Sequence, residues 1–91
     1  MILDLSNKNA IITGDGSGIG KAISLLFAQQ GAQVFILDLD QKGGSSTAGE
    51  INATGGKSTF YHCDVSSQKE VKSIIASIVE NRSQINVLVN N

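Results

Sequence analysis

Four glycines fall within residues 14–20, in the segment TGDGSGIG that occupies positions 13–20. The residues before it are apolar and partly β-branched, as in a buried strand, whereas apolar residues recur at helical spacing from Ile19 onward. A tight turn between a strand and a helix favours glycine, and it presents backbone N–H groups at the positive end of the helix. The segment therefore predicts a strand–turn–helix unit whose turn can hold a phosphate group.

Three of the four glycines have an expected task. Gly14 would make the sharp exit from the strand, Gly18 would let the backbone approach a phosphate, and Gly20 would let the helix pack closely on a sheet. A glycine-rich turn alone is also typical of an ordinary flexible loop. Further features of the sequence are needed to choose between the two interpretations.

Two aspartates follow predicted strands at informative positions. Asp38 ends an apolar run about 20 residues beyond the glycines, where an acid can accept both hydroxyls of an adenosine ribose, although a turn or capping role is the alternative. Asp64, with Val65, follows the strand-like residues 58–63. A carboxylate there suits the amino group of adenine, and Ser66 and Ser67 equally indicate a helix-entry turn, so both interpretations stay open.

Taken in order, these motifs resemble the short-chain dehydrogenase/reductase family. The N-terminal pattern of that family is TGxxxGxG, an acid after the second strand, a DV pair after the third and NNAG after the fourth. Here the motifs read TGDGSGIG, Asp38, Asp64 with Val65, and Asn90 with Asn91. The resemblance covers essentially all 91 residues.

The resemblance implies a three-layer α/β fold of the Rossmann type. Its parallel sheet would have the strand order 3-2-1-4 and would stop before strand five. Residues 1–91 would be the N-terminal part of one NAD(P)-binding domain. The implied cofactor-binding residues are Gly14, Ser17, Gly18, Ile19 and Gly20 at the pyrophosphate, Asp38 at the ribose, Asp64 and Val65 at the adenine, and Asn90 and Asn91 on the adenosine side.

The choice of cofactor follows from charge. The 2′-phosphate of NADP would face the like charge of Asp38, so NAD is favoured and NADP is less favoured. Ser17 agrees, because family members that use NADP commonly carry a basic residue there. Asp15 departs from the family, which usually has Gly or Ala at this position; we expect its side chain to point to solvent.

The catalytic residues of the family, a Ser and a Tyr-x-x-x-Lys pair, lie downstream of these motifs. Tyr61 is the chain's single tyrosine, Val65 stands where the lysine would be, and Tyr61 is interpreted as a strand residue. We therefore expect an inactive fragment of a longer, homo-oligomeric oxidoreductase that acts on an alcohol or carbonyl compound. The alternative is a truncated, non-enzymatic nucleotide-binding or interaction module; the residues after Asn91 would discriminate the two.

Composition limits the classes of partner and the cellular location to be expected. The net charge is −1, and the seven Lys and Arg residues are scattered along the sequence, which argues against nucleic acid and anionic membranes as partners. No signal peptide or membrane span is visible, and one cysteine favours a reducing cytoplasm. His62 and Cys63 are interpreted as strand residues, not as metal ligands or nucleophiles.

The predicted helices differ in quality. The first, residues 17–30, should bury the stripe Ile19, Ala22, Ile23, Leu26 and Phe27. The second should be short or frayed, starting near Ser45 or Ser46 and closed by Gly55 and Gly56, because Gly43, Gly44 and Gly49 disfavour a helix interior. The third, residues 67–81, has a Ser67–Glu70 capping signature and the stripe Val71, Ile74, Ile75, Ile78 and Val79.

The fourth strand, residues 86–90, contains three consecutive apolar residues and is expected to be buried on both faces. In the complete fold of the family a fifth strand would pair with its open side. Without that strand, an apolar edge is a template for association, so we expect the 91-residue chain either to be marginally stable or to self-associate through strand four.

Overall fold

The computed structural model describes residues 4–14, 18–82 and 84–90. Its elements are β1 (Asn9–Thr13), α1 (Gly18–Gln29), β2 (Gln33–Asp38), α2 (Gln41–Ala53), β3 (Lys57–His62), α3 (Gln68–Arg82) and β4 (Val87–Asn90). The strands are parallel and lie in the order β3-β2-β1-β4. The predicted fold class and strand order are therefore confirmed.

Each face of the sheet carries its own apolar core, because successive side chains of a strand point to opposite faces. Helices α1 and α2 cover one face, in a cluster that includes Ala10, Ile12, Ala28, Val34, Ile36, Ala48 and Ile51. Helix α3 covers the other face, in a cluster of Ile11, Phe35, Leu37, Cys63 and Ile78. The chain thus forms three layers, helix–sheet–helix.

Helix α1 meets the sheet through small residues, which corrects its predicted stripe. The buried residues are Gly20, Ser24 and Ala28, four residues apart, whereas Ile19 is 68% exposed and Leu26 is 36% exposed. Small side chains let the helix axis approach the strands closely, so the larger residues are displaced to the flanks. Of the predicted stripe, Ile23 and Phe27 do pack, half-buried, against the core, and Ala22 is exposed.

Helix α2 begins at Gln41, so the prediction of a short helix from Ser45 or Ser46 is wrong. The carboxylate of Asp40 accepts a hydrogen bond from the backbone N–H of Gly43 (3.0 Å), which caps the first turn. Gly44 lies against the ring of Phe60, and a Cβ at this position would overlap that ring. The close packing and the cap offset the low helix propensity of glycine.

The end of α2 agrees with the prediction. Gly55 follows Thr54 with a φ of 89°, a left-handed conformation that favours glycine. Helix α3 also begins and ends within one residue of the prediction. Its Ile78 is buried and Val71, Ile74 and Ile75 are half-buried against the core, but Val79 is 39% exposed.

Strand β4 is not buried on both faces, contrary to the prediction. Val87 and Val89 pack, half-buried, against the α1–α2 core, but Leu88 is 59% exposed. Leu88 pairs with Ile11 of β1 and therefore lies on the α3 face. Because α3 packs over β1 and β2, its side chains leave Leu88 uncovered.

Some of the basic residues lie closer together in space than in the sequence. Lys8, Lys57 and Arg82 line one pocket of about 200 Å³ at the amino ends of the strands. The parallel register brings Lys57 beside Gln33, whose Oε1 accepts from Arg82 (3.0 Å). Arg82 lies in the last turn of α3, where a cation offsets the negative helix end.

Among the described residues, no helix is long and apolar enough to cross a bilayer.

Candidate functional site

The predicted site residues that the structure describes lie at or just beyond the carboxyl edge of the sheet. The strands end here at Thr13, Asp38, His62 and Asn90, and the register pairs Thr13 with Leu37 and with Asn90. The chain runs from β1 outward to β2 on one side, while β4 lies on the other side. In open α/β sheets such a switch point is where ligands bind, in the crevice beyond the strand ends.

The structure describes three glycines of the glycine turn, which are Gly14, Gly18 and Gly20. Gly14 has a φ of 70°, and its N–H donates to the Leu37 carbonyl (3.1 Å), so the chain leaves β1 with Gly14 in a left-handed conformation. Gly18 opens α1, and a Cβ there would meet nothing within 4 Å. Gly20 is buried, as expected from a close helix–sheet contact. The side chain of Ile19 is largely exposed.

Three residues singled out from the sequence, Asp15, Ser17 and Asn91, lie outside the described residues. The direction of the Asp15 side chain and the roles of Ser17 and Asn91 therefore stay predictions.

Asp38 lies half-buried at the end of β2, on the same edge as the glycine turn. Its Oδ1 accepts a hydrogen bond from the N–H of Asp40 (3.0 Å), and its carbonyl accepts from the N–H of Cys63 (2.9 Å). The turn role weighed from the sequence is thus present. That role also holds the carboxylate at the crevice, so the two interpretations are compatible.

Asp64 forms the helix-entry turn that was one of its two interpretations. Its Oδ1 accepts from both the N–H (3.0 Å) and the hydroxyl (2.6 Å) of Ser66. The hydroxyl bond is the main cause that lowers the pKa of this carboxyl, and the backbone bond adds to it. Asp64 is therefore held ionised above the acid range, as an acceptor for an amino group would need. The adenine role stays a prediction.

The capping signature of α3 forms with a changed partner. The hydroxyl of Ser67 accepts from the N–H of Glu70 (3.3 Å), as predicted. The carboxylate of Glu70 accepts from the N–H of Asp64 (3.4 Å) and not from that of Ser67. Glu70 thus ties the end of the β3 segment to the helix that follows it.

Asn90 is joined to β1 by a contact that the sequence analysis missed. The Thr13 hydroxyl lies 3.1 Å from the Asn90 Oδ1 and 3.3 Å from the Val89 carbonyl, both of which are acceptors. Thr13 and Asn90 also line a cleft of about 140 Å³ with Val65. The signal that could have found this contact is the threonine directly before Gly14, since a strand-end hydroxyl can link two neighbouring strands.

The chain's one cysteine and one tyrosine both pack in the core on the α3 face of the sheet. Burial raises the pKa of the Cys63 thiol, chiefly through desolvation, so the thiol is held neutral and shielded. Tyr61 lies in β3 beside Phe35, with ring centroids 6.4 Å apart, which confirms its interpretation as a strand residue. Within residues 4–14, 18–82 and 84–90, no group of three or more potential metal ligands occurs.

Comparison with known proteins gives a consistent result. The family model described as short chain dehydrogenase matches residues 8–91. The chain belongs to the short-chain dehydrogenase family. The 7alpha-hydroxysteroid dehydrogenase of Escherichia coli K12 is 36% identical over 89 residues, which are 98% of this chain and 35% of that protein. A 3-oxoacyl-[acyl-carrier-protein] reductase of Thermotoga maritima is 39% identical over 87 residues, 96% of this chain and 35% of that one.

Solved structures of this family share the fold. A 7alpha-hydroxysteroid dehydrogenase in complex with NADH and 7-oxo glycochenodeoxycholic acid superimposes with a TM-score of 0.89 and 35% identity, covering 97% of this chain and 34% of that one. A metagenomic short-chain oxidoreductase in complex with NADP has a TM-score of 0.89 and 30% identity, covering 94% and 39%. The chain thus spans about a third of the length of these relatives and belongs to a family of oxidoreductases.

Proposed function

We propose that this chain is the dinucleotide-binding part of an oxidoreductase that transfers hydride between NAD and an alcohol or carbonyl substrate. The observation that carries the proposal is the placement of Gly14, Gly18 and Asp38 on one edge of the sheet, at its switch point. The solved relatives with bound NADH and NADP support a nicotinamide dinucleotide as the ligand class.

The glycine turn suits a pyrophosphate. Space is open where a Gly18 side chain would lie, and Gly18 is at the N-terminus of α1, where N–H groups and the helix dipole favour an anion. In the proposal, the pyrophosphate contacts the backbone of the turn. The residues assigned to it are Gly14, Ser17, Gly18, Ile19 and Gly20.

The adenosine half is assigned to the ends of the other strands. Asp38 would accept the ribose hydroxyls, and Asp64 would accept the amino group of adenine, with Val65 against the ring. Val65 is 41% exposed and lines the same cleft as Thr13 and Asn90, so its apolar surface is available to a base. Asn90 and Asn91 would face the adenosine side from β4.

Charge supports NAD over NADP. A 2′-phosphate placed about 4 Å from the Asp38 carboxylate would cost up to about 4 kcal/mol at an effective dielectric constant of about 20. The relatives solved with cofactor include one with NADH and one with NADP, so the preference rests on Asp38 itself. We therefore propose NAD as the cofactor of this chain.

Catalysis is proposed to need residues beyond these 91. The catalytic Ser and Tyr-x-x-x-Lys implied by the family resemblance have no counterpart in this sequence, and Tyr61 is taken up by β3. The chain alone is then a cofactor-binding unit without activity. The exposed Leu88 on edge strand β4 favours a second candidate, a non-enzymatic module that associates through this edge.

Titration of the chain with NAD and with NADP tests the assignment. Asp38→Asn should weaken NAD about tenfold or more, because the charge-assisted bonds to the ribose are lost, while NADP binding is unchanged or tighter. Asp40→Asn is the matched control, since an asparagine side chain at this position still caps α2 and both affinities should be kept. Equal affinities for NAD in the wild-type chain and Asp38→Asn would contradict the proposal.

A further inference from the structure

The turn between β2 and α2 is tied to the end of β3 by an imidazole. The Nε2 of His62 lies 3.0 Å from the Leu39 carbonyl oxygen. A carbonyl can only accept, so Nε2 carries the proton and donates the bond. His62 is also the register partner of Asp38 across the two strands, so the bond spans the turn that carries the carboxylate.

The turn is held at each of its three residues. The backbone carbonyl of Asp38 accepts a hydrogen bond from the N–H of Cys63 (2.9 Å). The Oδ1 of Asp40 accepts one from the N–H of Gly43 (3.0 Å) and so caps α2. Between them, Leu39 belongs to neither element, and its side chain is 62% exposed, so the core does not anchor it. The bond from His62 therefore fixes the middle of a turn whose two ends are fixed by other groups.

We propose that His62 is a positioning residue for cofactor selection. It holds the Leu39 carbonyl and thereby sets the place of the neighbouring Asp38 carboxylate at the crevice. This role rests on the proposed function, in which Asp38 accepts the ribose hydroxyls. His62 itself touches no reacting atom and acts only through the turn.

The consequence is a change in selectivity and not in general affinity. When the bond is lost, the turn has more freedom and the carboxylate spends less time where it accepts the ribose hydroxyls. NAD then binds more weakly. NADP loses little, because the same movement takes the negative charge away from its 2′-phosphate.

Titration calorimetry of the chain with NAD and NADP tests this role. For His62→Leu, which lacks a donor, we expect the ratio of the NADP and NAD dissociation constants to fall about threefold to tenfold. His62→Gln keeps an N–H donor and should restore the ratio toward the wild-type value. Lys57→Leu, an exposed position at the other end of β3, is the matched control and should leave the ratio unchanged.

The outcomes separate this inference from the proposed function. An unchanged ratio in His62→Leu, with a changed ratio in Asp38→Asn, overturns the role of His62 and leaves the function standing. An equal loss of NAD and NADP affinity in His62→Leu shows a general structural role and also overturns it. A wild-type chain that binds neither dinucleotide overturns the proposed function and the role of His62 together.

Discussion

Two aspartates at the carboxyl edge stabilise local turns, and the same residues have proposed roles in binding. Asp38 and Asp64 both accept hydrogen bonds from the turn that follows them, two residues along the chain. The sequence singled out these positions because an aspartate directly after an apolar run typically accepts hydrogen bonds from a turn or from a ligand. It did not predict the partners of Thr13 and His62, because those contacts join residues that are distant in sequence.

Substitution of Gly18 tests whether this residue is needed for NAD binding but not for folding. Since a Cβ would meet nothing within 4 Å, Gly18→Ala should leave the melting temperature within about 2 °C of wild type. The added methyl group would lie where the backbone is proposed to meet the pyrophosphate, so NAD affinity should fall about tenfold, or about 1.4 kcal/mol.

Thermal unfolding and NAD titration of the same Gly18→Ala sample measure its melting temperature and its NAD affinity, which are compared with those of the wild type. Gly49→Ala, an exposed glycine in α2 with nothing within 4 Å of the added Cβ, is the control for binding and should keep the wild-type affinity. Unchanged NAD affinity in Gly18→Ala would mean that the turn does not hold the pyrophosphate.

At the scale of elements, the sequence predicted where strands and helices lie better than which helix faces are buried. The bounds of α1 and α3 fall within one residue of the prediction, because their flanking turn and cap signals are local. Apart from Gly20, the buried side of α1 was missed because Ser24 and Ala28 are small and not strongly apolar. The start of α2 was missed because helix propensity alone treats Gly44 as destabilising. The contact of Gly44 with Phe60 forms only in the folded chain and cannot be seen in the sequence.

The glycines of α2 should respond in opposite ways to the same substitution. Gly44→Ala would push a Cβ into the Phe60 ring and should lower the free energy of unfolding by about 1–3 kcal/mol. Gly49→Ala meets open space in a helix interior and should raise it by about 0.5–1 kcal/mol.

Urea denaturation of the two variants measures both changes. The opposite signs are the decisive feature, since helix propensity alone would stabilise both. A stabilised Gly44→Ala variant would show that Phe60 yields easily and that the packing explanation for the length of α2 is wrong.

At the scale of the molecule, the sheet has two unequal edges. Strand β3 has polar exposed positions, whereas β4 exposes the apolar side chain of Leu88. The strand order was predicted from the family resemblance. The exposure of Leu88 on the α3 face of the sheet was not predicted. A run of apolar residues in the sequence does not reveal which neighbouring side chains cover a strand.

We expect the 91-residue chain to self-associate through this edge as concentration rises. Leu88→Lys should weaken association about tenfold or more, because a charged side chain on an edge strand opposes strand pairing. Sedimentation velocity over a concentration series gives the measurement, and Leu39→Lys, at a site 62% exposed and off the edge, is the control. Association that persists equally in Leu88→Lys would place the contact elsewhere.

Amide chemical shifts of the ¹⁵N-labelled chain during titration with NAD show whether the carboxyl edge of the sheet binds a dinucleotide. We expect saturable shifts at Gly14, Gly18 and the residues around Asp38 and Asp64, with the amino edge near Lys57 unaffected. An absence of saturable shifts, or shifts confined to the amino edge, would contradict this expectation.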